Sequence, residues 1–244
     1  MPPVSSVREY YYWSGRVVDQ LVSDNQESPG HEIELTLPTP VLEISTHRQP
    51  PPPTRAARAK ELEALLSDHI VTDPGYDGPL DFFAATSRVV ISPLTAGGVP
   101  VAALSLFAEV DGVAFCLYGS AQNAIGSDLG VPAWRAGGWT VSHANGMAAL
   151  LSTGHGDPAK GFTAREICEN AVDLSSGRPG SGPLPWSLDT TWGHYENAEW
   201  LARIHYSEQD VRAYRQVHVG TALWVRSAAA TAWIPRAPAT PPPR

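Results

Sequence analysis

Gly119-Ser120 closes an apolar run, Val113-Ala114-Phe115-Cys116-Leu117-Tyr118, and leads into a short polar segment carrying Asn123. A strand that ends in Gly-Ser where a helix opens can present free backbone N–H groups to an anion or a polar substrate. Trp192, Tyr195 and Arg203 offer aromatic and cationic walls for such a pocket. The candidate ligand-binding set is therefore Gly119, Ser120, Asn123, Trp192, Tyr195 and Arg203. Acid–base chemistry would fall to His143, His155 or His194 acting with Glu196, because imidazole titrates near neutrality and a carboxylate can orient it. His194 and His205 share a face on a predicted helix. They would stand about 16 Å apart along its axis, too far to bind one metal.

No complete catalytic motif is present. Gly119-Ser120 followed by Ser127-Asp128 has the outline of the nucleotidyltransferase turn and carboxylate pair, but Gly130 stands where the second carboxylate belongs. Two-metal phosphoryl transfer needs both acids. Gly-x-Ser-x-Gly, the Walker-A loop, the dinucleotide glycine fingerprint, HExxH and CxxC are all missing. Cys116 and Cys168 fall in a predicted strand and a predicted helix, where a thiol packs as a small hydrophobe. No metal site is expected and no cofactor can be named. The bland readings are a tight turn at Gly119-Ser120 and a salt-bridged amphipathic helix holding Glu196, Glu199 and Arg203. The favoured function is a soluble ligand-binding or regulatory module with its pocket near Gly119-Ser120. The alternative is an enzyme of unknown class using His and Glu without a recognised motif.

The elements that must position these residues follow from periodicity and turn chemistry. Asp111-Gly112 between apolar runs predicts a two-residue hairpin. Its register sets Val110 opposite Val113, Ala108 opposite Phe115, and Leu106 opposite Leu117. The other face pairs Phe107 with Cys116 and Ser105 with Tyr118, and both faces are apolar enough to expect cover on each side. Tyr10–Trp13 reads as a strand, with Tyr10 and Tyr12 on one face. Ser14 opens a helix carrying Val17, Val18, Leu21 and Val22. His31–Leu37 alternates as a strand, and Val41–Ser45 continues it. The prolines of 49–54 form a stiff connection.

Thr54 caps a helix over Arg55–Ile70 with Ala59, Leu62, Leu65, Leu66 and Ile70 as its stripe. Thr72–Leu80 is a loop and Arg88–Ser92 a short strand stopped by Pro93. Ser127–Gly138 is irregular, Thr140–Thr153 a weaker helix, and 154–158 a break. Thr163 and Glu166 form a capping box for a helix to Leu174. Ser175–Ser187 reads as a loop. Asp189 caps a long helix to about Tyr206, Ser207 with Asp210 begins another, and Tyr214–Trp233 holds one or two strands centred on Val217–Gly220 and Leu223–Ser227. This pattern predicts an α+β fold, a mostly antiparallel sheet with a central hairpin over 99–118 and several packed helices.

Composition sets the outer limits. The 244 residues are 43% hydrophobic and 17% charged, with a formal net charge of −8 and only two lysines, Lys60 and Lys160. That balance argues against nucleic acid and anionic membrane as partners and leaves a small-molecule ligand. A single α+β domain over 1–234 is expected, followed by a disordered Pro-rich tail at 235–244. The start MPPVSSVREYYYW lacks the form of a signal peptide, and no apolar run is long enough to span a bilayer. A cytoplasmic protein is expected, of undetermined oligomeric state.

Tyr10-Tyr11-Tyr12-x-Ser14 with Val17-Val18-x-x-Leu21, Leu117-Tyr118-Gly119-Ser120-Ala121-x-Asn123-x-Ile125-Gly126, and Glu199-x-Leu201-Ala202-Arg203 are the most distinctive stretches. In these the chain resembles an uncharacterised family of actinobacterial hypothetical proteins. The resemblance spans most of the chain outside the proline tracts and implies one intracellular domain, with no established activity.

Overall fold

The computed structural model describes residues 8–25, 52–96, 99–125, 144–152, 162–175, 186–188 and 193–228. In chain order the elements are β1 (Tyr10–Trp13), α1 (Gly15–Asn25), α2 (Arg55–Leu65), β2 (Ile70–Val71) and β3 (Phe82–Ala96). The hairpin strands β4 (Val99–Val110) and β5 (Val113–Ser120) follow, then a 3-10 turn (Ala121–Asn123), α3 (Ala144–Ser152) and α4 (Ala164–Ser175). The chain continues as β6 (Trp186–Leu188), β7 (His194–Val211) and β8 (Tyr214–Ser227). Backbone contacts divide it into two compact units, Arg16–Asp68 and Met1–Gly15 with His69–Arg244.

In the smaller unit, Val17, Val18, Leu21 and Val22 of α1 are buried, as their spacing predicts. Thr54 caps α2, its Oγ1 accepting from the Ala57 N–H at 3.2 Å. Arg58 reaches Asp19 of α1 at 3.4 Å and Glu61 at 2.9 Å. The helix is shorter than its apolar spacing suggests: Leu66 already leaves helical geometry. Ala59, Leu62 and Leu66 are buried but Leu65 is not, and Ile70 begins β2 instead of completing the stripe.

In the larger unit the hairpin has the predicted register throughout, including Phe107 opposite Cys116 and Ser105 opposite Tyr118. Asp111 and Gly112 take φ of 49° and 76°, the paired left-handed turn that matches strand twist. β3 pairs with β4, β4 with β5, β5 with β8, β8 with β7, and β7 returns to β3, closing a barrel of five strands. Among the described residues only β5–β8 and the short β2–β3 pairing are parallel, so the fold is α+β with a mostly antiparallel sheet.

Closure explains why both hairpin faces are apolar. Leu104, Leu106, Phe115 and Leu117 point into the barrel with Phe83, Trp200 and Tyr12. Phe83 stacks on Phe115 at 4.4 Å, Trp200 meets Phe115 edge-on at 4.9 Å, and the Trp200 indole donates to Ser87 Oγ at 2.9 Å. Ala103, Ala114, Cys116 and Tyr118 point outward into a second core with α3 and α4. α4 begins with the predicted capping box: Thr163 N–H donates to Glu166 at 2.9 Å, and Glu166 N–H donates to Thr163 Oγ1 at 3.2 Å.

The largest departure from expectation is β7. Residues 194–211 form one strand, not the long helix capped by Asp189, and Ser207 and Asp210 lie within it and do not open another helix. Glu, Ala, Leu and Arg favour a helix by only a few tenths of a kcal/mol each. The strand gains hydrogen-bonded neighbours on both edges and buries Ala198, Trp200, Ala202 and Ile204 inside the barrel. That alternation is present in the sequence beneath the helical spacing.

Glu199 and Arg203 consequently form no helical pair. Glu199 binds Arg8 at 2.6 Å and Arg226 at 2.9 Å, whereas Arg203 is exposed. β3 is also longer than the predicted Arg88–Ser92 and passes through Pro93, where a register shift before Thr95 removes the need for a regular ladder. β6 replaces the end of the predicted 175–187 loop, and β8 is a single strand that runs through both predicted segments. The strands expected at 31–37 and 41–45, the segments 127–138 and 154–158, and the tail 235–244 lie outside the described residues.

Candidate ligand-binding site

Gly119 and Ser120 stand where the sequence places them, at the end of β5, but their cradle is taken by the protein itself. Gly119 faces the barrel interior, and a Cβ built on it would lie 1.9 Å from the Tyr12 hydroxyl. Asn123 Nδ2 donates to that hydroxyl at 3.2 Å and to Ser14 Oγ at 3.4 Å. The Ser120 backbone and Ser14 also hydrogen-bond toward the phenol; burial nevertheless raises its pKa. Ser120 begins a 3-10 turn of three residues without capping it. The turn does attract an oxygen, and that oxygen belongs to β1.

Replacing Gly119 by Ala should therefore cost about 1–3 kcal/mol, the range for overfilling a packed core. A Tyr12→Phe background should recover part of the loss, because it removes the nearest atom. Urea unfolding of the two single variants and the double variant measures the coupling; strict additivity would refute this contact.

The other described candidates, Tyr195, Arg203, His194 and Glu196, do not join Gly119. Tyr195 stacks on Tyr11 with centroids 3.9 Å apart. A register shift between Tyr10 and Tyr12 breaks the simple alternation of β1. Tyr10 instead meets Trp13 edge-on at 5.3 Å and accepts from Arg226 at 3.4 Å, while Tyr12 enters the barrel. His194 and Glu196 are exposed and share Arg88, whose guanidinium lies 3.0 Å from His194 Nδ1 and 3.4 Å from Glu196. Arg88 thus holds both groups on an open surface. His205 contacts Thr221 at 3.1 Å from a strand, so the helical geometry expected for His194 and His205 does not arise. His143, His155 and Trp192 lie outside the described residues.

His218 is the histidine that sequence reading missed. It is 2% exposed, packs on Phe115 at 5.0 Å, and lies 2.8 Å from the hydroxyl of its cross-strand partner Ser207. The pair has the composition of a nucleophile and its base. Burial pushes the imidazole down to about 4, which makes it a poor proton acceptor at neutral pH. Among the described residues, no three His, Cys, Asp or Glu side chains group to hold a metal ion.

The outer face of the hairpin carries a different kind of cluster. Ser105 and Tyr118 are cross-strand partners on that face, and Cys116 lies two residues before Tyr118. α4 packs on this face with Cys168, and its last residue, Ser175, lies beside Cys116 and Tyr118. The hydroxyls of Ser105, Tyr118 and Ser175 are all buried and have no hydrogen-bond partner among the described residues. Ser175 is near enough to Cys116 and Tyr118 to lower both pKa values, but it completes no hydrogen bond of good geometry with either. Burial dominates, pushing Cys116 up to about 12 and raising Cys168 and Tyr118 as well. Every one of these groups is protonated and neutral at pH 7. The cluster offers hydroxyl donors and acceptors without charge.

The hairpin register alone places Ser105, Cys116 and Tyr118 on one face. That α4 brings Cys168 and Ser175 to this face required the tertiary structure. A fourth unpartnered atom, Trp224 Nε1, sits apart beneath the Arg226 guanidinium, which lies 4.1 Å from the ring centroid.

These features define a closed five-stranded barrel whose outer face, under helices, encloses unpaired hydroxyls. The chain belongs to a family of unknown function, DUF7019, whose model matches residues 8–229. No curated protein and no solved structure matches it. Among the described residues, no helix is long and apolar enough to cross a membrane.

Proposed function

We propose that this protein is a soluble, cytoplasmic ligand-binding module of regulatory use. Its small-molecule ligand sits between α4 and the outer face of β4–β5, beside the Gly119-Ser120 end of β5. The observation that supports this reading is the set of three buried, unpartnered hydroxyls on Ser105, Tyr118 and Ser175. Each such group costs about 1–3 kcal/mol when nothing satisfies it, and native cores tolerate few. Three around one helix end make a place that a ligand would complete. Inside the barrel the Tyr12 hydroxyl already occupies the space against Gly119, so the ligand is assigned to the outer face.

Tyr118→Phe tests the reading directly. Without ligand it should stabilise the protein by about 1 kcal/mol, because it deletes an unsatisfied hydroxyl while keeping the ring. In a thermal-shift screen of metabolites, a compound that raises the Tm of the parent protein should lose most of that effect in Tyr118→Phe. It should keep the effect in Glu109→Gln, on the exposed part of β4. A destabilised Tyr118→Phe, or hits indifferent to it, would count against the site.

A further inference from the structure

We infer that the ligand is uncharged and carries at least two hydrogen-bonding groups on an apolar body; this rests on the ligand-binding reading above. Ser105, Tyr118 and Ser175 each supply one O–H donor and acceptor lone pairs, which suits an alcohol or amide able to do both. The flanking thiols, Cys116 and Cys168, are neutral and bring no countercharge.

Glu169 and Glu208, the carboxylates that act on Cys168, and Asp173 of α4 are taken up in surface ion pairs. Glu169 binds Arg165 at 3.3 Å, Glu208 lies 3.8 Å from Arg165, and Asp173 receives Arg212 at 2.8 Å. Among the described residues of these elements, both arginines and all three acids engage one another at the surface, so none of these charges is presented to a buried ligand. A cationic ligand would find neutral hydroxyls and thiols. Burying either charge without a counterion is strongly unfavourable. The apolar body is set by the side chains that share this core, among them Leu94, Met147 and Ile167.

Three aromatic probes of similar size separate the possibilities: resorcinol, neutral with two hydroxyls, benzoate, an anion, and benzamidine, a cation. Binding to the full chain is followed by NMR shifts of the β5 and α4 amides, with affinities from the titration. Resorcinol should move those amides and bind at least tenfold more tightly than either charged probe. Its affinity should fall at least tenfold in the Ser105→Ala/Tyr118→Phe double variant, whose fold is checked by the same spectrum. Tighter binding of a charged probe at those amides would overturn the neutral class and leave the ligand-binding reading standing. Failure of all three probes to move them would overturn both.

Discussion

Gly220→Ala is expected to destabilise the barrel by about 3 kcal/mol, at the upper end for overpacking a core. A Cβ on Gly220 would lie 2.2 Å from the Arg203 carbonyl oxygen and 3.1 Å from Ile204 Cα. Both obstacles are backbone, so no side chain can rotate aside. The clash falls where β7 shifts register against β8, between Ile204 and Tyr206. Relief requires moving β7, which is also bound to β3 on its other edge.

Gly112→Ala provides the contrast. Gly112 has φ of 76° with nothing within 4 Å of a Cβ, so alanine there should cost only about 1 kcal/mol of backbone strain. Urea unfolding should show the Gly220 variant with a much lower midpoint at an unchanged slope. A loss no greater than that of Gly112→Ala would refute the close approach of β7 and β8.

The second large effect is a loss of stability in mild acid that belongs to His218. Its folded pKa is lowered by burial to about 4, against about 6.5 for an unperturbed imidazole. As pH falls, the unfolded chain therefore takes up this proton before the folded one. The stabilisation is complete above about pH 6.5 and is lost as pH drops from there toward 4. At about 1.4 kcal/mol per pH unit, the loss over that window approaches 3 kcal/mol.

His218→Phe should remove this slope. The ring still packs on Phe115, and Ser207 is exposed, so its hydroxyl can turn to water. Denaturation midpoints measured at steps between pH 7 and 4 provide the readout. A slope that survives in His218→Phe would assign the acid sensitivity to other groups.

Both predictions depend on non-local contacts, and they mark where sequence reading stopped. The hairpin was legible because its determinants are adjacent: two residues able to take positive φ and a period-two pattern on each arm. The caps at Thr54 and Thr163 were legible for the same reason, since each cap and the N–H that donates to it lie within one turn. β7 was not. Its residues carry helical and strand spacing together, and the choice falls to partners on β3 and β8 that are distant in sequence. Gly119 was recognised as unusual backbone, but the group that needs it small, Tyr12, lies over a hundred positions earlier.

By itself, the sequence determined the α+β class, the hairpin register and the faces on which Ser105, Cys116 and Tyr118 lie. Those features follow from steric limits and hydrogen bonds that act within a few residues. Barrel closure, the filling of the Gly119-Ser120 turn by Tyr12, the burial of His218 and the laying of α4, with its Ser175, against the hairpin face of Ser105 and Tyr118 were decided only in the tertiary structure. Each depends on which distant surfaces exclude water from one another, and local propensities of a few tenths of a kcal/mol cannot oppose that burial.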